Sequence, residues 1–280
     1  MQSPWHVPAH PGGAAAPSPP APLQQMSPGP ALPEPLSALD AVRFVFRSNE
    51  LKNNLLFGSV LLVIPIAGPL CFAGWMCETH QRLLRRHPDP LPKFDFGDFG
   101  HYLTRGVAGF LVGLLFMFPA LLVSYGIGAA GGFGAVALMA TTEEVLFVIA
   151  LIAGLAVFGF LFWTFMLVLL YAAQTRAELT EDFGASFKLG EIWSYASKTW
   201  GKVLVKSITF GFLSFGIMLI GMLACYIGLY PALVVIQIAS MHLRQQIYQH
   251  YLAGGGTPIP LKAPQWLPSE LQRMQHGYAR

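Results

Sequence analysis

The chain has 280 residues, of which 54% are hydrophobic and only 11% are charged, and its mean hydropathy is +0.52. Because a soluble domain carries about 25% charged residues, this composition excludes a soluble globular enzyme. The net charge of +3 does not indicate a nucleic-acid partner, since the basic residues stand beside the hydrophobic runs and form no single patch.

Residues 1–36 hold eleven of the chain's 22 prolines and a single charged residue, Glu34. Such a segment has too little apolar surface to offset the entropy cost of ordering, so it is predicted to be a disordered tail. It contains no Lys or Arg and no apolar stretch typical of a signal peptide. The first hydrophobic helix is therefore expected to act as its own insertion signal.

Apolar and charged residues alternate from Ser37 onward, which indicates an interfacial amphipathic helix with Ser37 as its N-cap. The uncharged run 53–77 follows, and Pro65 and Pro69 interrupt its middle. Since proline kinks or ends a helix, the run is predicted to be either one kinked span or a re-entrant hairpin with arms too short to cross.

Further uncharged runs predict about four full transmembrane helices. Two of them lie at about 106–125 and 145–171, with a Gly-rich loop at 126–142 between them. The run 207–243 is too long for one span, so it is expected to fold as two spans that turn near residues 225–228.

A second amphipathic segment at 183–200 resembles the first in composition and position, which suggests a weak internal duplication. The predicted fold is thus all-α: a polytopic helical membrane domain over residues 37–252, with two interfacial helices. Residues 253–280, with many Gly and Pro, are predicted to be a flexible tail in which Trp266 is an optional membrane anchor.

The 17 Lys and Arg residues predict the orientation of the chain. If the run 53–77 crosses, 14 of them lie inside and 3 outside; if it is re-entrant, all 17 lie inside. The positive-inside rule favours the re-entrant version. In both versions the loops 78–105 and 174–206 and the C-terminus are predicted to be cytoplasmic, and the Gly-rich loop external, in a plasma (inner) membrane.

Acids and histidines in the first of these loops are the candidate site residues, because carboxylate and imidazole groups can converge on a divalent ion. They are Asp89, Asp95, Asp98, His80, His87 and His101. The loop has no HExxH or nucleophile motif, so solvated, capping or interfacial roles are favoured. No catalytic, cofactor-binding or metal-binding residue is predicted, and no cofactor is expected.

The apolar runs themselves lack ionisable residues, which makes an ion-coupled transporter less favoured. Adjacent Glu143 and Glu144 are interpreted as interface residues, and Gln237 and His242 as interhelical or interface groups. The three cysteines, all in apolar segments, are interpreted as small hydrophobic residues.

Small residues recur four apart in the apolar runs, a spacing that lets helices approach closely. The pairs are Gly109 with Gly113, Ala150 with Gly154, and Ser207 with Gly211. Packing within the chain is favoured over a homodimer face, and the oligomeric state stays open.

Four stretches resemble an uncharacterised family of prokaryotic multi-pass membrane proteins, domain of unknown function 4013. They are DAVRFVF, LLVIPIAGPLCFAGW, LPKFDFGDFGHYLTRG and GLYPALVVIQIASMHLRQQIY, which together run from about Leu39 to Tyr251. The third stretch, with its Leu-Pro, acidic-aromatic and terminal Gly signature, is the most specific. The resemblance implies a helical plasma-membrane protein and no catalytic residue.

The expected function is a non-enzymatic scaffold or accessory subunit of a cell-envelope complex, whose partners are membrane lipids and other envelope proteins. The alternative is a carrier or permease for a lipid or other apolar solute, with the helix breaks at Pro65, Pro69 and Pro231 forming a cavity. The least favoured hypothesis is an enzyme that uses Asp95, Asp98 and His101.

Overall fold

The computed structural model describes residues 35–141, 145–224 and 226–277, and every regular element in these ranges is helical. The all-α prediction is therefore confirmed for the described part of the chain. Two short turns of 3₁₀ helix, Phe96–Asp98 and Ala185–Phe187, accompany the α-helices. The α-helices are α1 (Ala38–Phe46), α2 (Leu51–Val63), α3 (Ala67–Leu84), α4 (Phe99–Thr141), α5 (Val145–Thr180), α6 (Leu189–Leu223), α7 (Leu229–Ala253) and α8 (Pro268–Gly277).

Within the described residues, three helices, α4, α5 and α6, are long and apolar enough to cross a membrane. At 43, 36 and 35 residues, they are roughly 64, 54 and 52 Å long, well beyond a hydrocarbon core of about 30 Å. One end of each helix must therefore protrude. By this criterion the protein is a membrane protein, and the described residues contain three such helices where four full spans were predicted.

The prediction of a Gly-rich loop at 126–142 is wrong over the described residues, because α4 continues through Gly126 to Thr141. Each glycine costs only about 1 kcal/mol relative to alanine in a helix. In an apolar environment a loop would leave backbone N–H and C=O groups without partners, which costs several times more. Continuing the helix is thus the less costly solution.

The first apolar run folds as a helical hairpin, α2 followed by α3, with the chain reversing at Ile64–Ile66. The start of α2 and the middle of α3 both contact the loop that follows α3. The amide of Asn54 accepts a hydrogen bond from the backbone of Phe94 at 2.9 Å, and Nε1 of Trp75 donates to the carbonyl of Pro92 at 3.1 Å. Since α2 has 13 residues, about 20 Å, it is too short to cross a bilayer alone.

The two predicted amphipathic helices differ in the structure. α1 is a separate helix: Ser37 caps it by accepting a hydrogen bond from the Asp40 N–H at 3.1 Å, and Phe44 stacks on His242 of α7 with ring centres 4.2 Å apart. The second amphipathic segment is instead the beginning of α6, which runs without a break into its apolar part. The two segments therefore do not form matching helices, as an internal duplication would require.

The last turns of α3, α5 and α7 meet the first turns of α4 and α6 at one end of the molecule. We call it the polar end, because buried charged side chains lie there beside a large part of the apolar core. Its largest buried side chains include Trp75, Tyr102 and Leu243. At the opposite end large apolar side chains are exposed, as for Leu146 (82%) and Leu223 (84%). The helices thus pack tightly at the polar end and spread their apolar parts outward.

Close helix contacts occur at glycines other than those in the predicted small-residue pairs. A Cβ at Gly74 of α3 would overlap the backbone of Tyr102 in α4, and a Cβ at Gly106 would overlap the backbone of Leu70. By contrast, a Cβ at Gly113, Gly154 or Gly211 would have no neighbour within 4 Å. At these three positions the structure therefore shows no close approach of a neighbouring helix.

The segment after α7 follows a defined path across the polar end. The backbone N–H of Ile259 donates to the hydroxyl of Tyr248 at 2.8 Å, and that of Lys262 donates to the carbonyl of Leu179 at 2.9 Å. Ile259 and Leu267 are buried. The segment then ends in α8, beside the first turn of α4.

A buried ion-pair network as the candidate functional site

The last turns of α3 carry a run of polar side chains that are almost fully buried: Glu78, His80, Gln81 and Arg82. The spacing of Glu78 and Arg82 places both on one helix face, where they form an ion pair. A buried charge needs a partner of opposite sign, because removal from water is costly. Polar residues of the neighbouring helices supply the remaining partners.

Arg105 of α4 joins two carboxylates. It forms an ion pair with Glu78, and its Nε donates to Glu181, just beyond α5, at 2.7 Å. Burial raises the pKa of the Glu78 carboxyl, but the charges of Arg105 and Arg82 outweigh this effect and hold the pKa below its ordinary value. Glu78 is thus placed to be ionised between two guanidinium groups.

Glu178 of α5 forms a second group of contacts, and 2% of its surface is exposed. One carboxylate oxygen pairs with Arg244 of α7, and the other lies 2.7 Å from Nδ1 of His80. Because a carboxylate only accepts, Nδ1 carries the proton in this contact. Nε2 of His80 lies 2.9 Å from the amide oxygen of Gln245, so α3, α5 and α7 are joined through one imidazole ring.

The C-terminal segment closes the network from outside. Glu270 of α8 binds Arg82 at 2.8 Å, and Nζ of Lys262 lies 3.4 Å from Glu181. Asp98 accepts hydrogen bonds from the backbone N–H and the hydroxyl of Ser269, at 2.8 and 2.6 Å. The ion pairs around Glu78 and those around Glu178 are joined by Gln81, whose side-chain amide donates to the carbonyl of Glu178 at 2.9 Å and to Glu181 at 2.8 Å. Five parts of the chain therefore meet in one network of ion pairs and hydrogen bonds.

A cavity of about 290 Å³, which we call the central cavity, lies among α2, α3, α4, α5 and α7. Glu178 and Arg244 line it together with Gln174, and the other walls are mainly apolar. Arg244 is 4% exposed, and its Nε has no hydrogen-bond partner among the described residues. The network is thus connected to an apolar space, and one of its donors is unused.

The structure does not bring the sequence-predicted candidate residues together. Asp95 caps the first 3₁₀ turn by accepting from the Gly97 N–H at 2.8 Å, whereas Asp98 is buried against Ser269. His101 lies 3.3 Å from Arg105.

The remaining candidates of that loop also lie apart. His80 is fully buried in the network, contrary to a solvated role, while His87 and Asp89 contact each other in the loop after α3. In the described ranges, no group of three or more His, Cys, Asp or Glu residues could hold a metal ion.

Other residues considered from sequence have ordinary surroundings. Gln237 lines the central cavity, and Nδ1 of His242 lies 3.2 Å from the amide nitrogen of Gln246. Cys71 and Cys77 are buried thiols. Glu143, Glu144 and Cys225 lie outside the described residues.

Sequence reasoning missed the network residues Glu78, Arg105, Glu178 and Arg244. One signal was present: each of these charges stands just beyond an apolar run, on the side that the charge count assigns to the cytoplasm. Helices that extend straight past the membrane bring such positions to one level. The partners within that level depend on helix packing, which the sequence pattern does not specify.

No curated protein and no solved structure matches the chain. The family described as "Protein of unknown function (DUF4013)" matches residues 57–226. The matched region contains the hairpin's Pro-Gly break and the acidic-aromatic stretch before α4, while DAVRFVF and the closing segment of α7 lie outside it. Because the match covers more than half of the chain, the protein belongs to the family of unknown function DUF4013.

Proposed function

We propose that the protein is a non-enzymatic scaffold or accessory subunit of a cell-envelope complex in the plasma (inner) membrane. The observation that carries this proposal is the small burial of α4, α5 and α6 by their own chain. In the most apolar 18-residue stretch of each helix, the buried share is 28% for α4, 6% for α5 and 11% for α6. α5 is the least buried although it packs against both α4 and α6, so these helices offer a lateral surface to a partner.

A groove between α4 and α5 supports a helical partner. It has a volume of about 400 Å³, and its floor is made by small residues that include Gly128, Gly132, Ala156 and Gly159. Small residues let the backbones of two membrane helices approach closely. The polar end supports a scaffold as well, because its charged side chains are engaged in holding five parts of the chain together.

The proposed orientation places the polar end in the cytoplasm, including the loops 78–105 and 174–206 and the C-terminus. α7 returns beside α6 and would be the fourth crossing, and the α2–α3 hairpin would be a re-entrant element that enters and leaves on the cytoplasmic side. The Lys and Arg count supports this orientation.

The test is purification of the C-terminally tagged protein from native membranes in mild detergent, followed by mass spectrometry of the retained proteins and lipids. We expect one stoichiometric protein partner. Gly128→Leu and Gly159→Leu should abolish its capture, because neither position has a neighbour within 4 Å and the new side chains would fill the groove. Gly211→Leu on α6, equally open, is the matched control and should retain the partner.

Two results would contradict the scaffold proposal. One is recovery of the chain without any stoichiometric partner. The other is unchanged capture by both groove variants, provided that they melt at the temperature of the control.

The alternative function is a carrier or permease for a lipid or other apolar solute. The helix break between α2 and α3 favours it, because Pro69, just after the break, lines the central cavity. Transporters build their sites at such discontinuous helices. Movement of a labelled lipid across vesicles that contain only this protein would support the alternative.

A further inference from the structure

We propose that the central cavity binds a single-chain amphiphile with an uncharged, hydrogen-bonding head, such as a monoacylglycerol. The site is independent of the scaffold proposal. It names the class of ligand that the carrier alternative would involve. The protein could bind this ligand without transporting it.

The walls of the cavity suit a hydrocarbon chain. They include Leu62 of α2, Phe72 and Met76 of α3, and Phe110 of α4. The volume of about 290 Å³ is near the lower limit of about 300 Å³ for ligand pockets. A space of this size holds the head and the first part of one chain, and the rest of the chain would extend through the mouth into the bilayer.

The inner end of the cavity is lined by the polar residues Arg244, Glu178 and Gln174. Arg244 uses one terminal nitrogen to bind Glu178, while its Nε–H is buried without a partner. A buried donor is stabilised when it gains an acceptor. A hydroxyl or ester oxygen at this end of the cavity would supply that acceptor, and the amide of Gln174 lies on the same lining.

The charges at the inner end favour an uncharged head. Both carboxylate oxygens of Glu178 are already engaged, one by Arg244 and the other by Nδ1 of His80 at 2.7 Å. The positive charge of Arg244 is likewise matched by Glu178. A carboxylate or ammonium head would therefore add a buried charge with no partner, which is costly.

The mouth of the cavity lies among residues of the membrane helices. Leu114 and Met117 of α4 line it and are 48% and 37% exposed, and Gln237 of α7 is exposed beside them. Because α4 is a membrane-spanning candidate, a chain can enter sideways from the bilayer. The head would then move inward toward Arg244.

The test uses the full chain, stripped of lipid in detergent, and tritiated monoolein as the probe. Gly113 lines the cavity and has no neighbour within 4 Å, so Gly113→Leu should fill the cavity without a clash and weaken monoolein binding at least tenfold. Gly211→Leu, outside the cavity, should bind as the wild type does. Met117→Trp narrows the mouth from the membrane side and is a second filling variant.

The head is tested by competition and by a conservative variant. Oleyl alcohol should displace monoolein at least tenfold better than oleate at pH 8, where oleate is charged. Arg244→Lys keeps the charge opposite Glu178 but removes the Nε–H, so it should weaken binding while the melting temperature stays near that of the wild type. Wild-type binding by both filling variants, or equal displacement by oleate, would overturn the proposal.

Discussion

Glu78 shows how single charges can be stable in the interior of this protein. Its carboxylate lies between the guanidinium groups of Arg82 and Arg105, and each of the three residues is at most 6% exposed. Burial alone would favour the protonated acid, and the two cations reverse that preference. The residue therefore holds α3 to α4 only while it is ionised.

We expect Glu78→Gln to lower the free energy of unfolding by about 3–5 kcal/mol at neutral pH, because it leaves two buried guanidinium groups without this partner. Since the pKa is lower in the folded state, the unfolded state takes up the proton first on acidification. The stabilisation is thus present above the unfolded pKa and lost as the pH falls through the folded one. Melting in detergent at pH 7 and pH 4 should show the difference between wild type and variant shrinking; a constant difference would contradict the assignment.

Among the helices, the α3–α4 pair depends on glycines at which the two backbones touch. We expect Gly106→Ala to destabilise the protein by about 3 kcal/mol or more, because the added methyl group would overlap the backbone of Leu70. Gly100→Ala, on the first turn of α4 with no neighbour within 4 Å, is the control. Thermal unfolding in detergent distinguishes them, and equal melting temperatures would exclude a close contact at Gly106.

The sequence predicts a flexible tail at the C-terminus, whereas in the structure this segment is held to the polar end by hydrogen bonds. Asp98→Ala removes the acceptor for the backbone and hydroxyl of Ser269, at a cost of about 1–3 kcal/mol. We expect faster tryptic cleavage at Lys262 and Arg273. Asp95→Ala, which removes only a local cap, should leave cleavage unchanged; the same acceleration in both variants would argue against the Asp98 contact.

Across the whole molecule, the apolar runs predict the helices because length and hydropathy are local properties of the chain. The apolar runs do not predict the end of α4, which continues as helix through the Gly-rich stretch Gly126–Thr141. The network residues were visible as charges beside apolar runs, but the pairing of Arg105 with Glu181 or of His80 with Glu178 joins residues 76 and 98 positions apart. Such pairings depend on how the helices pack.

We propose that α4–α7 cross the membrane while the α2–α3 hairpin returns to its starting side, so that the polar end faces one compartment. Single cysteines in a background without native cysteines test it most directly, with a membrane-impermeant maleimide applied to intact cells and to inverted vesicles. Ser48→Cys, Asp89→Cys and Asp182→Cys should react only in inverted vesicles, and Ile227→Cys only in intact cells. Labelling of Ser48→Cys in intact cells would mean that the hairpin crosses, and would contradict the account.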